Sequence, residues 1–212
     1  MKEYLKNIKD KNFLLSIMSL LLVQAMLYVL VKCFQNNYHT FNFIVDSKIP
    51  FIPQMIIIYN LFYPMIFISF YNIFNHDKDT YYNGIIAGII GFIISDIIFL
   101  LYPVIMIRPD ISNLTIDPIN KFIINLTYKL DNPPINCFPS IHCLFSFQVI
   151  YSTIKCNSYK NKYKAITIII LLLIIVSTLL VKQHYLFDVF GAFIICIINN
   201  LIAPVIYKKI KH

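Results

Sequence analysis

His184-Tyr185-Leu186-Phe187-Asp188-Val189-Phe190-Gly191 opens the last long apolar run of the chain, which continues to about residue 207. The spacing of His184 and Asp188 predicts a helix. Four residues apart, both side chains leave one helical face within hydrogen-bonding reach. Ionisable groups at the mouth of a membrane-length helix are rare and, as a rule, functional. A second histidine has a similar setting in Phe138-Pro139-Ser140-Ile141-His142, again where an apolar run begins. Two histidines, one with a carboxylate partner, are the minimum set for nucleophilic phosphoryl transfer.

The composition says what kind of solvent surrounds these groups. Hydrophobic residues make up 58% of the 212 residues and charged ones 13%, with a mean hydropathy of +0.70. Those values exclude an ordinary soluble globule and a disordered chain. Measured with a ruler of about 20 residues per membrane crossing, six apolar segments emerge. They cover roughly 13–34, 53–74, 84–106, 138–154, 165–182 and 184–207. The fourth is the shortest and least apolar, and a tight turn around Lys182-Gln183 joins the fifth to the sixth. The fold class is therefore all-α, an integral membrane bundle of six transmembrane helices in a single domain, 1–212. The segment after Lys11 is too long for a signal peptide and lacks a small-residue exit, so it reads as the first crossing. Abundant Ile, Asn, Lys and Tyr without any Trp point to an AT-rich coding sequence and a bacterial source.

The net charge of +8 is explained by topology rather than by nucleic acid. With the N-terminus inside, the inner segments hold Lys2, Lys6, Lys9, Lys11, Lys78, Lys155, Lys160, Lys162, Lys164, Lys208, Lys209 and Lys211, twelve of the 18 basic residues. The outer side holds the other six: Lys32, Lys48, Arg108, Lys121, Lys129 and Lys182. That bias places both termini in the cytoplasm of a cell-membrane protein. Only one connection is long: residues 107–137, polar and proline-rich, form an outer loop with a short surface helix. The five cysteines show no metal-ligand spacing and read as buried free thiols. Asp96, well inside the third segment, reads as a structural or folding carboxylate.

The topology brings distant residues to one membrane depth. Arg108 follows the third segment, Ser140 and His142 begin the fourth, and Lys182, His184 and Asp188 lie between the fifth and sixth. Their chemistries complement one another. Arg108, Lys182, Ser140 and the free N-terminus of the fourth helix suit a phosphate. Asp188 would fix the tautomer of His184 and stabilise positive charge on its ring. His142 would protonate the leaving oxygen. Ser177 and Thr178 read as helix-packing residues.

These motifs resemble the type 2 phosphatidic acid phosphatases, membrane relatives of the vanadium haloperoxidases. The third motif of that family has Ser-Arg, then His, then Asp four residues on; here it reads Ser177-Thr178, His184, Asp188. The second, Pro-Ser-Gly-His, reads Pro139-Ser140-Ile141-His142. Of the first, Lys-six residues-Arg-Pro, Arg108-Pro109 remains, with Leu101 at the lysine position. Thr178 in place of arginine, and Asp46-Ser47-Lys48-Ile49-Pro50-Phe51-Ile52-Pro53 leading into the second segment, are similar to the branch containing the inositolphosphorylceramide synthases. The resemblance covers about residues 46–195. It implies His184 as nucleophile, Asp188 as its partner, His142 as acid, and Arg108, Ser140 and Lys182 as phosphate ligands. It also implies no cofactor and no metal. The expected function is a lipid-phosphate phosphatase working on the outer face through a phosphohistidine. Its partners would be a lipid phosphate or diphosphate and the surrounding membrane lipids, with no nucleic acid. The alternatives are a lipid head-group phosphotransferase using the same site and a non-catalytic lipid-binding membrane protein.

The charge bias makes one direct prediction. Single cysteines at Asn120 and Asn161, in a background without native cysteines, report opposite sides of the membrane to an impermeant thiol reagent. Labelling of position 161 from outside intact cells contradicts the orientation.

Overall fold

The computed structural model describes residues 10–35, 37–41 and 43–211. Those residues form nine helices: α1 (Lys11–Phe34), α2 (Ile44–Lys48), α3 (Met55–Asn60), α4 (Phe62–His76), α5 (Lys78–Leu101), α6 (Pro118–Leu130), α7 (Ile141–Lys155), α8 (Asn161–Leu180) and α9 (Leu186–Lys211). One parallel bridge, His39 with Val104, is the extended pairing among them. The protein is thus an all-helical bundle.

Among the described residues, four helices are long and apolar enough to cross a membrane: α1, α5, α8 and α9, with 20 to 26 residues each. At about 1.5 Å per residue each reaches the roughly 30 Å of a hydrocarbon core. Local chemistry starts and stops them. Asp10 accepts the amides of Asn12 and Phe13 at 2.9 and 3.4 Å, and Asp77 accepts that of Thr80 at 2.9 Å.

The other two apolar segments differ from the simple ruler, each for a physical reason. The second divides at Leu61 into α3 and α4. Pro64, in the first turn of α4, has no N–H to bond back and crowds the carbonyl four residues earlier. The fourth forms α7, only 15 residues long, about 22 Å. It begins late because Pro139 precedes its cap, Ser140, whose hydroxyl accepts Cys143 N–H at 3.2 Å. Protein surrounds α7, which packs on α4, α5, α8 and α9. This is why it tolerates buried Ser146, Gln148, Ser152 and Thr153. Gln148 and Asn200 exchange two hydrogen bonds, at 2.9 and 3.1 Å. A lipid-facing helix has no such partners to offer.

Close approach of the helices rests on small residues. A Cβ at Gly88 of α5 would lie 2.9 Å from the ring of Phe145 on α7. One at Gly191 of α9 would lie 2.6 Å from the ring of Phe138. Phe138 itself stacks on Phe187 at 5.3 Å, so the chain entering α7 is pressed against the start of α9. Sequence placed a tight turn at Lys182-Gln183, and the structure has it. Lys182 adopts a φ of 50°, and the amides of Gln183 and His184 both bond to Thr178 O, at 3.0 and 3.2 Å.

The long connection carries α6, the surface helix that its sequence suggests. Asp117 caps it by accepting Asn120 N–H at 3.0 Å, Pro118 occupies its first turn, and Ile124 is buried with Ile56 and Tyr59. Asn120 is itself buried, so exposed Asn113 is the better outer reporter for the labelling test. All five cysteines are free, four of them buried. Asp96 is buried, and neither of its oxygens has a partner among the described residues.

Candidate active site

His184 sits in the last step of the α8–α9 turn and is 8% exposed. Its Nδ1 lies 3.1 Å from the carbonyl oxygen of Cys137 and 3.2 Å from Asp188 Oδ2. A carbonyl oxygen can only accept a hydrogen bond. Nδ1 therefore carries the proton and donates, so in the neutral ring it is Nε2 that holds the lone pair. Asp188 is fully buried and is fixed independently of the histidine, because its Oδ2 also accepts Tyr185 N–H at 2.8 Å. The expected contact is present, but His184 lies in the turn before α9 and not on its helical face, and a main-chain carbonyl that no spacing could reveal is added.

The second histidine motif meets the first through the backbone. Ser140 N–H donates to Asp188 O at 3.2 Å. This bond ties the N-cap of α7 to the first turn of α9. Two residues on, the ring of His142 lies 6.0 Å from that of His184, centroid to centroid. Aromatic rings of Tyr59 and Phe62 hold it from the other side at 4.7 and 4.5 Å. The Ser140 hydroxyl, used as acceptor in its cap, still has a hydrogen to donate. The N-terminal amides of α7 open at the same place, where anions are favoured.

The two cations lie nearby but are differently engaged. Arg108 Nη1 donates to the carbonyls of Tyr128 and Asp131 at 3.2 and 3.1 Å. Its Nη2 bonds Asp131 Oδ2 and Gln183 Oε1, the latter at 2.5 Å. The guanidinium stacks over the Tyr128 ring at 4.6 Å, while Nε is buried without a partner among the described residues. Lys182 turns away from the histidines: its Nζ donates to Ile49 O at 2.6 Å and Asp46 O at 3.1 Å. Burial lowers the pKa of this ammonium, and the Asp46 carboxylate opposes that shift. A cleft of about 570 Å³ is lined by Arg108, Lys182 and His184 together with Phe41, Phe43, Met106 and other apolar side chains. Burial pushes the Cys137 thiol far above its ordinary range, so it does not compete as a nucleophile.

Of the residues chosen from sequence, Ser140, His142, His184 and Asp188 form one cluster. Arg108 adjoins it through Gln183, and Lys182 joins only through the cleft. Ser177 and Thr178 are buried and donate to Ile174 O and Ile175 O of their own helix at 2.6 and 2.7 Å, as packing residues do. Sequence reading missed Gln183, Asp131 and the aromatic bed of His142. Gln183 carried a signal, since it immediately precedes the histidine. Asp131 lies 23 residues from Arg108 and carried none.

Fold and site define a helical membrane protein with a carboxylate-anchored histidine facing a second histidine. The chain belongs to the PAP2 superfamily, whose profile matches residues 81–211, well over half its length and all the residues of this cluster. Members of that superfamily are phosphatases. No curated protein and no solved structure matches the chain significantly.

The tautomer is directly measurable. In neutral His184, ¹⁵N spectra should show a protonated, pyrrole-type Nδ1 and a bare Nε2. A bare Nδ1 contradicts the arrangement at Cys137 and Asp188.

Proposed function

We propose that the protein is a membrane lipid-phosphate phosphatase that works through a phosphohistidine on His184. The observation that carries this reading is the pairing of the two rings, 6.0 Å apart, with His184 anchored through Nδ1 and Nε2 free. The Nε2 lone pair attacks phosphorus, the bond from phosphorus to the lipid oxygen breaks, and His142 gives its proton to that oxygen. Water then loses a proton to His142 and attacks the phosphohistidine, so that the N–P bond breaks and phosphate leaves. Asp188 stabilises the positive charge that His184 gains in the first step.

Phosphate is held by Ser140, the amides opening α7 and Arg108, with Lys182 contributing positive potential across the cleft. No cofactor or metal enters the scheme. The apolar walls of the cleft beside its cations suit a substrate with a phosphate at one end and hydrocarbon at the other. We place the protein in a bacterial cell membrane with six crossings, α3–α4 and α7 supplying the second and fourth. Both termini are cytoplasmic and the site faces outward, as the lysine bias supports. The resemblance of residues 46–53 supports the inositolphosphorylceramide synthase-like branch. In that branch an alcohol replaces water in the second step, and the protein would be a head-group phosphotransferase.

The test is purified protein in lipid, given a panel of lipid phosphates, diphosphates and phosphodiesters, with both free phosphate and new lipid products measured. His184→Ala abolishes turnover. Asp188→Asn lowers it by on the order of 10⁴, as loss of the orienting carboxylate does in a serine-protease triad. Arg108→Ala costs about 1.5–3 kcal/mol, one to two decades in kcat/KM. Arg108→Lys does not restore it, because the planar fork is lost. Wild-type turnover by a folded His184→Ala protein refutes the mechanism.

A further inference from the structure

The short helix α2 and the residues after it lie outside the part of the chain matched to the superfamily, yet they touch the catalytic turn at three points. Asp46 Oδ1 accepts Leu186 N–H at 2.8 Å. Lys182 Nζ donates to Asp46 O and Ile49 O. The first bond reaches the residue that opens α9, two positions after His184. The other two reach the residue two positions before it. A segment some 140 residues earlier in sequence therefore grips both sides of the nucleophile.

We propose that Asp46 is a positioning residue for His184. It rests on the phosphohistidine reading for its kinetic consequence, though not for its geometry. A helix N-terminus leaves its first amides without partners, and the residues before Leu186 offer no cap. His184 is turned to Cys137 and Asp188, and Tyr185 hydroxyl bonds Ile105 O at 3.3 Å. Asp46 supplies the missing acceptor from another element. Its negative charge also sits favourably at the positive end of the α9 dipole. The grip matters because the turn is otherwise held at a costly backbone conformation. Lys182 is a non-glycine residue in the left-handed region, and its side chain is the very one bonded to the Asp46 segment. Released from that segment, the turn can relax, and the direction of Nε2 goes with it. A reaction that needs in-line approach is sensitive to errors of about 1 Å in that direction.

The geometry separates this role from substrate binding. Asp46 acts through a main-chain amide, so its loss should lower kcat and leave KM nearly unchanged. The test uses the full chain in lipid nanodiscs. Asp46→Ala should lower kcat by one to two decades, the effect of losing one hydrogen bond to a charged group, with KM held within about threefold. Asp46→Asn, which keeps an oxygen for Leu186, should recover most of the loss. Hydrogen exchange gives a readout independent of chemistry: the Leu186 amide exchanges faster in Asp46→Ala, not in Asp46→Asn, while amides in the middle of α9 stay unchanged. Should the alanine variant fail to insert, Asp46→Glu moves the carboxylate by about one C–C bond, roughly 1.5 Å, and must also speed exchange at Leu186. Equal kcat in Asp46→Ala and wild type overturns the proposal. So does a loss confined to KM, or a loss shared by Asp46→Ala and Asp46→Asn with Leu186 exchange unmoved. Absence of turnover in the wild type refutes the phosphatase reading alone, and the exchange data then decide the role of Asp46.

Discussion

The hydrogen bond between His184 Nδ1 and the Asp188 carboxylate joins the turn before α9 to the first turn of that helix, and much of the bundle is arranged to keep it. Asp188 is buried and bonded to the Tyr185 amide, so it cannot swing away. The Cys137 carbonyl presses on the same nitrogen. The Asp188 carbonyl in turn receives the Ser140 amide, which starts α7 and sets His142 opposite. The start of α9 and the turn before it thereby fix the His184 ring, its tautomer and the position of the second histidine. Gly191 is part of the same device, since any side chain there would strike Phe138, the residue that leads into Pro139 and Ser140.

The membrane explains why the site is built at helix ends. Within hydrocarbon every backbone group must be bonded internally, and only the ends of helices present free amides. A site that binds an anion in a membrane protein therefore gains most where several helices begin together. Here α7 and α9 begin side by side, and α7 is short because Pro139 and its cap Ser140 start it late. Its polar face is sheltered by α4, α5, α8 and α9, which lets it be the least apolar of the candidate crossings without exposing Ser146 or Gln148 to lipid.

Much of this was legible in the sequence. Apolar run length gives the four long helices with their ends no more than six residues off, and the four-residue spacing gives the His184–Asp188 contact. Pro139 followed by Ser140 marks the start of α7. The ruler failed where something other than length decides, at Leu61, where Pro64 breaks the run, and in α7, which protein rather than lipid surrounds. Contacts between distant segments left no periodic trace. Nothing in the pattern says that Asp131 holds Arg108, that Lys182 reaches back to Asp46 and Ile49, or that the Cys137 carbonyl selects the tautomer. Arg108 and Lys182 are picked out by charge, membrane depth and, for Arg108, a motif remnant, none of which says where a long side chain will point.

The most direct measurement of the central claim is the site of phosphorylation. Enzyme mixed with a turning-over lipid phosphate and quenched in alkali, where phosphohistidine survives, can be digested and the modified nitrogen assigned by mass spectrometry and ³¹P spectroscopy. The account requires phosphate on Nε2 of His184, with none in His184→Ala and slowed appearance in Asp188→Asn. Phosphate on Nδ1 of His184 or on His142, or steady hydrolysis with no phosphohistidine at any time, would contradict it.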